Sequence, residues 1–178
     1  AEMFGGHADR MTAAAVIPTN TSEEAIEELE FAVKELGLKA AMISGNIPRF
    51  VPKVAREAPE LAPYAQWIDP IALGSPHDYD PLWAKCVELG VAPTAHSTGF
   101  FGARASTTSY VYNHIGNFGA ANEAFCKALF LGGVTHRFPT LKVAFLEGGV
   151  GWASSLYNDL FEHWEKRNRD SLMEWLDP

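Results

Sequence analysis

The sequence predicts an α/β fold with a parallel sheet, and three observations support this class. Short apolar runs alternate with amphipathic stretches along the whole chain. The apolar runs are continuous, as expected for strands buried on both faces, and glycine or proline separates them from the amphipathic stretches. No linker or low-complexity tract divides the chain, so we expect a single domain over residues 1–178.

The first predicted unit is a strand, a helix and a second strand. Residues 13–17 are an apolar run, and Thr21 with Glu24 forms a T-x-x-E capping box that begins a helix. Gly37 is a natural end for that helix, and residues 38–43 are the next apolar run. The helix places four apolar side chains on one face: Ile26, Leu29, Val33 and Leu36. A βαβ unit of this kind predicts parallel strands with a right-handed crossover.

The alternation continues to the end of the chain. Three more strands are predicted at 67–73, 91–96 and 143–146. Asp80 is expected to cap a helix that has Pro81 at its first position and ends at Gly90. Further helices are predicted at 51–57 and 118–131. A final helix is predicted because four apolar side chains would share one of its faces: Trp152, Leu156, Leu160 and Trp164. Residues 97–117 form a long predicted loop, of a length that is usually functional.

About five strands alternating with helices fit two architectures. One is an open, doubly wound sheet, and the other is part of a closed (β/α)8 barrel. A closed barrel needs eight strands and roughly 250 residues, more than this chain of 178 provides. Spacing alone does not decide between the two architectures.

Composition and charge exclude several classes of protein. The chain is 47% hydrophobic and 20% charged, enough apolar material for a core. No apolar run approaches the roughly 18 residues of a membrane span. The net charge is −8, and no basic patch of the kind that binds nucleic acid is present. We therefore expect a small-molecule substrate and neither a nucleic-acid nor a membrane partner.

The cysteines and the first residues suggest a compartment. Cys86 and Cys126 lie far apart outside any C-x-x-C pattern, which indicates buried thiols in a reducing environment. The first residues lack a basic stretch followed by an apolar one, so we expect no signal peptide there, and a cytoplasmic protein. Because the chain does not begin with Met, we expect residues upstream.

Polar side chains follow the predicted strands at the ends where α/β enzymes bind ligands. His96 ends one strand, where an imidazole could reach a metal or could simply be a hydrogen-bonded core residue. Glu147 ends the next strand, where a carboxylate could bind a metal, transfer a proton or anchor a neighbour. His114 lies near the end of the long loop and is expected to line the pocket.

Other motifs are weaker. Gly149-Val150-Gly151 resembles the start of a dinucleotide-binding loop, but Ser154 stands where the last glycine belongs. The His77-Asp78-Tyr79-Asp80 run resembles a metal cluster, although Asp80 is explained as a helix cap. The sequence has no G-x-S-x-G elbow, P-loop or H-E-x-x-H motif, so nothing supports a serine nucleophile.

One stretch carries a family resemblance. The chain resembles the amidohydrolase 2 family most clearly in residues 131–149, L-G-G-V-T-H-R-F-P-T-L-K-V-A-F-L-E-G-G. The resemblance extends to Asp80-Pro81-Leu82-Trp83, to the strand that ends at His96 and to the opening residues 12–18. This family is the aminocarboxymuconate-semialdehyde decarboxylase-like branch of the amidohydrolase superfamily. The resemblance implies a (β/α)8 barrel, of which about strands 2 to 6 are present, and one divalent metal, with zinc as the first candidate and manganese as the alternative.

The resemblance also implies roles for individual residues. It makes His96 a metal ligand, and Glu147 replaces a histidine that many family decarboxylases use in acid/base chemistry. The H-x-H pair and the late aspartate that complete the family's metal site lie outside these residues. The long loop, and not the resemblance, leads us to expect that the pocket is lined by Phe100, Phe101, Arg104 and His114, with Arg104 pairing with a substrate carboxylate.

Three functions follow as hypotheses. The first is a metal-dependent hydrolase or non-oxidative decarboxylase that acts on a small carboxylated, possibly aromatic, substrate. The second is a non-catalytic module that acts through association, because a partial barrel exposes strand edges; this exposure also leads us to expect a homo-oligomer. The third is a doubly wound domain that binds an anion or nucleotide at the Gly149 loop.

Overall fold

The computed structural model describes residues 2–97, 106 and 108–166. The strands are β1 Ala14–Ile17, β2 Ala40–Ile43, β3 Asn46–Phe50, β4 Gln66–Pro70, β5 Pro93–Ala95 and β6 Ala144–Phe145. The α-helices are α1 Ser22–Glu30, α2 Pro52–Glu57, α3 Asp80–Leu89, α4 Tyr110–His114, α5 Asn117–Leu131, α6 Val134–Arg137 and α7 Gly151–Lys166. None of the described helices is long and apolar enough to cross a bilayer.

The main sheet has four parallel strands in the order β1-β2-β5-β6. Chain order and spatial order therefore agree from one edge of this sheet to the other. A doubly wound sheet would instead reverse its order at the crevice where it binds nucleotides. The doubly wound hypothesis is therefore wrong, and the sheet has the topology of consecutive strands in a (β/α)8 barrel.

The predicted strand at 67–73 does not belong to this sheet. Residues Gln66–Pro70 form β4, which pairs with β3 in a separate antiparallel hairpin, with Asn46 opposite Pro70. The hairpin is inserted between β2 and α3, so β2 pairs directly with β5. The described residues thus hold four consecutive strands of the parallel sheet instead of five.

Among the residues that the structure describes, helices cover one face of the parallel sheet and leave the other open. Ile17, Ile43, Ala95 and Phe145 lie in one row across the sheet. The first three are buried in a core with α1, α3 and α5, in which Trp83 and Phe125 are completely buried. The neighbouring row on the opposite face is Val16, Met42, Thr94 and Ala144, and Val16 is 73% exposed. Parallel sheets are normally buried on both faces, so the Val16 row corresponds to the inner face of an open barrel.

Side-chain hydrogen bonds mark the first residues of α1 and α3. Thr21 Oγ1 accepts a hydrogen bond from the Glu24 N–H at 3.2 Å, which confirms the predicted cap of α1. The prediction for Asp80 was wrong, because the Asp78 carboxylate accepts from the Asp80 N–H at 2.9 Å. The Asp80 carboxylate instead binds Arg137, with its oxygens 2.6 and 2.8 Å from Nε and Nη2. This two-bond pair fixes α6 to the first turn of α3.

The two cysteines lie against the core as free thiols. Burial raises the pKa of the Cys86 thiol to about 12 and also raises the pKa of Cys126. Both groups are therefore protonated at neutral pH, and a protonated thiol is a poor nucleophile. Cys86 is buried, as predicted, and Cys126 is partly buried.

Candidate functional site

The carboxyl ends of the parallel strands are joined by polar side chains. Thr19 Oγ1 donates to the Ser44 carbonyl at 3.0 Å, and Ser97 Oγ accepts from the Gly45 N–H at 2.9 Å. Asn46 Nδ2 donates to the Ala121 carbonyl at 3.1 Å and so links β3 to α5. These groups use their hydrogen bonds within the protein, so they form a scaffold under the site.

His96 and Glu147 are brought together at this edge of the sheet. His96 Nε2 lies 2.7 Å from Glu147 Oε2, although 51 residues separate the two. The His96 N–H continues the strand ladder by donating to the Ile43 carbonyl at 3.2 Å. His96 therefore shares the face of Thr94, the face not covered by helices. The side chains are 30% and 52% exposed, so both are accessible to a ligand.

An aromatic ring, Phe118, separates His96 from His114. The Phe118 ring centroid lies 5.1 Å from that of His96 and 5.4 Å from that of His114, with edge-on geometry in both contacts. Phe118 was not among the predicted site residues, because an apolar residue near a helix start has no distinctive signal in the sequence. The ring fixes one side of the His96 imidazole and gives the site an apolar wall.

The backbone at Glu147 is unusual. Its φ is 60°, the left-handed region that side chains other than glycine rarely adopt. The neighbouring Gly148 packs against α5, because a Cβ there would lie 2.5 Å from Asn122 Nδ2 and 3.0 Å from the Gly119 Cα. Close packing by Gly148 thus forces the strained turn that presents the Glu147 carboxylate to His96. Strain of this kind clusters at functional sites.

Replacing Glu147 should reveal this strain. We expect Glu147→Gly to be more stable than Glu147→Ala by about 1 kcal/mol, because only glycine accepts a positive φ without steric cost. The free energy of unfolding, measured with urea, gives the difference. At Glu57, at the end of α2, the same pair of substitutions should rank in the opposite order. An alanine variant at 147 as stable as the glycine variant would contradict the strain.

A second polar cluster was missed by the sequence analysis. The Asp69 side chain is completely buried, and its Oδ2 accepts from Arg49 Nε at 2.8 Å and from Ser75 Oγ at 2.9 Å. Arg49 also donates to the Asn20 carbonyl at 2.7 Å and to Tyr79 Oη at 3.0 Å. Burial raises the pKa of Tyr79, so the hydroxyl keeps the proton that it donates to the Thr19 carbonyl. The cluster fastens the hairpin to the sheet and directs each guanidinium nitrogen of Arg49 to a partner within the protein.

The donor atoms present suit a divalent metal but do not complete its ligand set. An imidazole nitrogen and a carboxylate oxygen, as in His96 and Glu147, are typical zinc and manganese ligands. A catalytic metal needs about three protein ligands. Within residues 2–97, 106 and 108–166, no three His, Cys, Asp or Glu side chains converge. Of the predicted pocket residues, Phe100, Phe101 and Arg104 lie outside the described part of the chain.

Comparison with known proteins identifies the family. The amidohydrolase family model, Amidohydro_2, matches residues 1–170. The chain belongs to the amidohydrolase family. The predicted recognition of amidohydrolase 2 is confirmed, and the open sheet is part of the barrel of this family.

Solved structures of amidohydrolases share the fold. A dihydroxybenzoic acid decarboxylase from Polaromonas sp. JS666, with bound manganese and 2-nitroresorcinol, aligns with a TM-score of 0.58 and 21% identity over 80% of this chain and 39% of its own. A 2,6-dihydroxybenzoate decarboxylase in complex with 2,6-dihydroxybenzoate aligns with a TM-score of 0.52 and 21% identity over 80% and 40%. An amidohydrolase from Mycobacterium avium subsp. paratuberculosis K-10 aligns with a TM-score of 0.59 and 20% identity over 98% and 40%.

This amidohydrolase chain spans about two fifths of the length of those structures. At 20–21% identity the likeness establishes the fold alone. In a complete (β/α)8 barrel the uncovered face of the sheet would be the inner face, which is packed with side chains from all eight strands.

Proposed function

We propose that this chain is part of a metal-dependent amidohydrolase that hydrolyses or decarboxylates a small carboxylated aromatic substrate. The contact between His96 Nε2 and Glu147 Oε2, at 2.7 Å on the uncovered side of the strand ends, carries the proposal. This contact joins a side chain that commonly binds metals to one that commonly transfers protons. It lies at the strand ends, where (β/α)8 enzymes place their active sites. The decarboxylases of similar fold support an aromatic acid as the substrate class.

In this proposal His96 is one ligand of a divalent metal, and the other ligands come from parts of the enzyme outside these residues. Such a metal would polarise a substrate carboxylate or carbonyl and lower the pKa of a bound water. Manganese is favoured by the relative that contains it, and zinc is the other candidate. The Phe118 edge keeps the imidazole oriented, which a metal ligand requires.

Glu147 is the proposed proton-transfer group. Its carboxylate is half exposed and lies beside the proposed metal ligand, so it can reach both solvent and a bound substrate. His114 extends the aromatic wall through Phe118. We propose that Phe100, Phe101 and Arg104 complete the pocket, with Arg104 binding the substrate carboxylate.

The proposal is tested by turnover in the complete protein loaded with manganese. With 2,6-dihydroxybenzoate as the first probe, we expect CO2 release, and Glu147→Gln should lower kcat by about 10²- to 10⁴-fold. Glu57→Gln, on the exposed helix α2, is the matched control and should leave kcat unchanged. Equal kcat in Glu147→Gln and the parent would exclude the proposed role of Glu147.

The open sheet favours a second candidate, a module that acts by association. The Val16 row is mostly apolar, Val16 itself is 73% exposed, and β1 and β6 each have a free edge within the described residues. Unpaired strand edges promote pairing with another chain. Recovery of the complete protein only as a metal-free oligomer would support this candidate over the enzyme.

A further inference from the structure

Asn122 lies directly beneath the turn that carries Glu147. We propose that Asn122 is a positioning residue, which holds this turn so that the Glu147 carboxylate meets His96. The inference rests on the proposed function for its catalytic consequence, but its structural part can be tested without activity. No sequence motif marks Asn122, which lies in the second turn of the largely apolar α5.

The first support is the hydrogen bond made by the Asn122 side chain. Asn122 is 1% exposed, and its Nδ2 donates to the Leu146 carbonyl at 2.9 Å. Leu146 immediately precedes Glu147, and the Leu146 N–H donates to the Ala95 carbonyl at 3.0 Å. The peptide unit that joins Leu146 to Glu147 is therefore held by α5, while the preceding N–H is held by β5. This arrangement fixes the point from which the Glu147 side chain emerges.

The second support is close packing around the same amide. A Cβ at Gly148 would meet Asn122 Nδ2 at 2.5 Å, and a Cβ at Gly119 would meet the Gly148 carbonyl oxygen at 3.2 Å. Both sides of the turn therefore contact α5 without space between them. Because Glu147 adopts a strained φ of 60°, the turn keeps this shape only while its contacts restrain it.

The third support is that the Asn122 amide is poorly satisfied. Its Oδ1 is buried and has no hydrogen-bond partner among the described residues. A buried polar atom without a partner costs stability, so an apolar side chain would suit the core better. The single useful bond of this amide is the one to Leu146, which points to positioning as the reason for its presence.

The test compares two buried asparagines on the same scaffold. Asn122→Ala removes the bond to the Leu146 carbonyl, whereas Asn46→Ala removes an equivalent Nδ2 bond to the Ala121 carbonyl and leaves the turn untouched. Long-range ¹H–¹⁵N spectra of the His96 imidazole in the complete protein, loaded with diamagnetic zinc, report its contact with Glu147. We expect Asn122→Ala to shift the His96 Nε2 resonance toward its position in Glu147→Gln, and Asn46→Ala to leave it in place.

Kinetics give the second readout. We expect Asn122→Ala to lower kcat by about 10- to 100-fold with little change in KM, whereas Glu57→Gln on the exposed helix α2 should preserve kcat. If Asn122→Ala does not fold, Gly119→Ala serves as the second variant. Alanine favours the helix at this position, and its Cβ would push the Gly148 carbonyl by a few tenths of an ångström. That variant should shift the same resonance.

An unchanged His96 spectrum in the folded variant, or an equal shift in Asn46→Ala, would overturn the inference. A parent without turnover would instead overturn the proposed function, and the spectra would still decide the role of Asn122.

Discussion

Asp69→Ala is expected to lower the free energy of unfolding by about 3–5 kcal/mol, the usual effect of removing one partner of a buried ion pair. Asp69 is completely buried, and the substitution leaves Arg49, which is 15% exposed, with an uncompensated charge. Ser75 loses its acceptor at the same time. Because the cluster fastens the hairpin, the backbone amides of β3 and β4 should also exchange their hydrogens faster in this variant than those of the parallel sheet.

Two further variants separate the charge from the loss of packing. The double variant Arg49→Met with Asp69→Leu removes both charges and should be more stable than Asp69→Ala. Glu57→Ala removes an exposed partner of Lys53 and should change the free energy of unfolding by less than about 0.5 kcal/mol. Denaturant unfolding measures all three. An Asp69→Ala variant within about 1 kcal/mol of the parent would mean that the buried pair does not secure the hairpin.

Gly132→Ala is expected to cost at least about 3 kcal/mol, at or above the upper end of the range for an overpacked core. A Cβ at this position would lie 1.9 Å from the Ala72 carbonyl oxygen and 2.7 Å from the Ala128 carbonyl oxygen. Both are backbone atoms, so relief requires α5 to move away from the segment that follows β4. The thermal midpoint of unfolding should fall accordingly.

Gly151→Ala is the matched control for Gly132→Ala. Nothing lies within 4 Å of a Cβ at Gly151, and this residue is the first of α7. Alanine favours the helix there, so we expect unchanged or slightly increased stability. If Gly132→Ala were as stable as Gly151→Ala, α5 would not pack against the Ala72 backbone as the structure shows.

The fold class could be predicted because its signal is local. The continuous apolar runs at β1 and β2 and the capping box at Thr21 give strand, helix and strand without knowledge of tertiary contacts. The strand at 67–73 was assigned to the wrong sheet for the same reason. Its apolar run shows that a strand exists, but only pairing with β3 shows which sheet it joins.

The site could be predicted only in part. His96 and Glu147 stand out because each polar side chain ends an apolar run. Phe118, Asn122 and Asp69 act through contacts with distant residues, and no spacing in the sequence indicates such contacts. The structure also gives a physical reason for two stretches that carried the family resemblance. Asp80 from one stretch binds Arg137 from the other, and Gly132 allows its own stretch to approach the Ala72 carbonyl closely.

The central claim is that His96 binds a metal in the complete enzyme, and metal content per chain tests it most directly. Elemental analysis of the complete protein, with its intact mass determined, should find about one manganese or zinc per chain. We expect His96→Ala to lose that metal, and His163→Ala to retain it, because His163 is an exposed residue of α7 whose Nδ1 lies 2.8 Å from the Asp159 carbonyl. Equal metal content in His96→Ala and the parent would contradict the account.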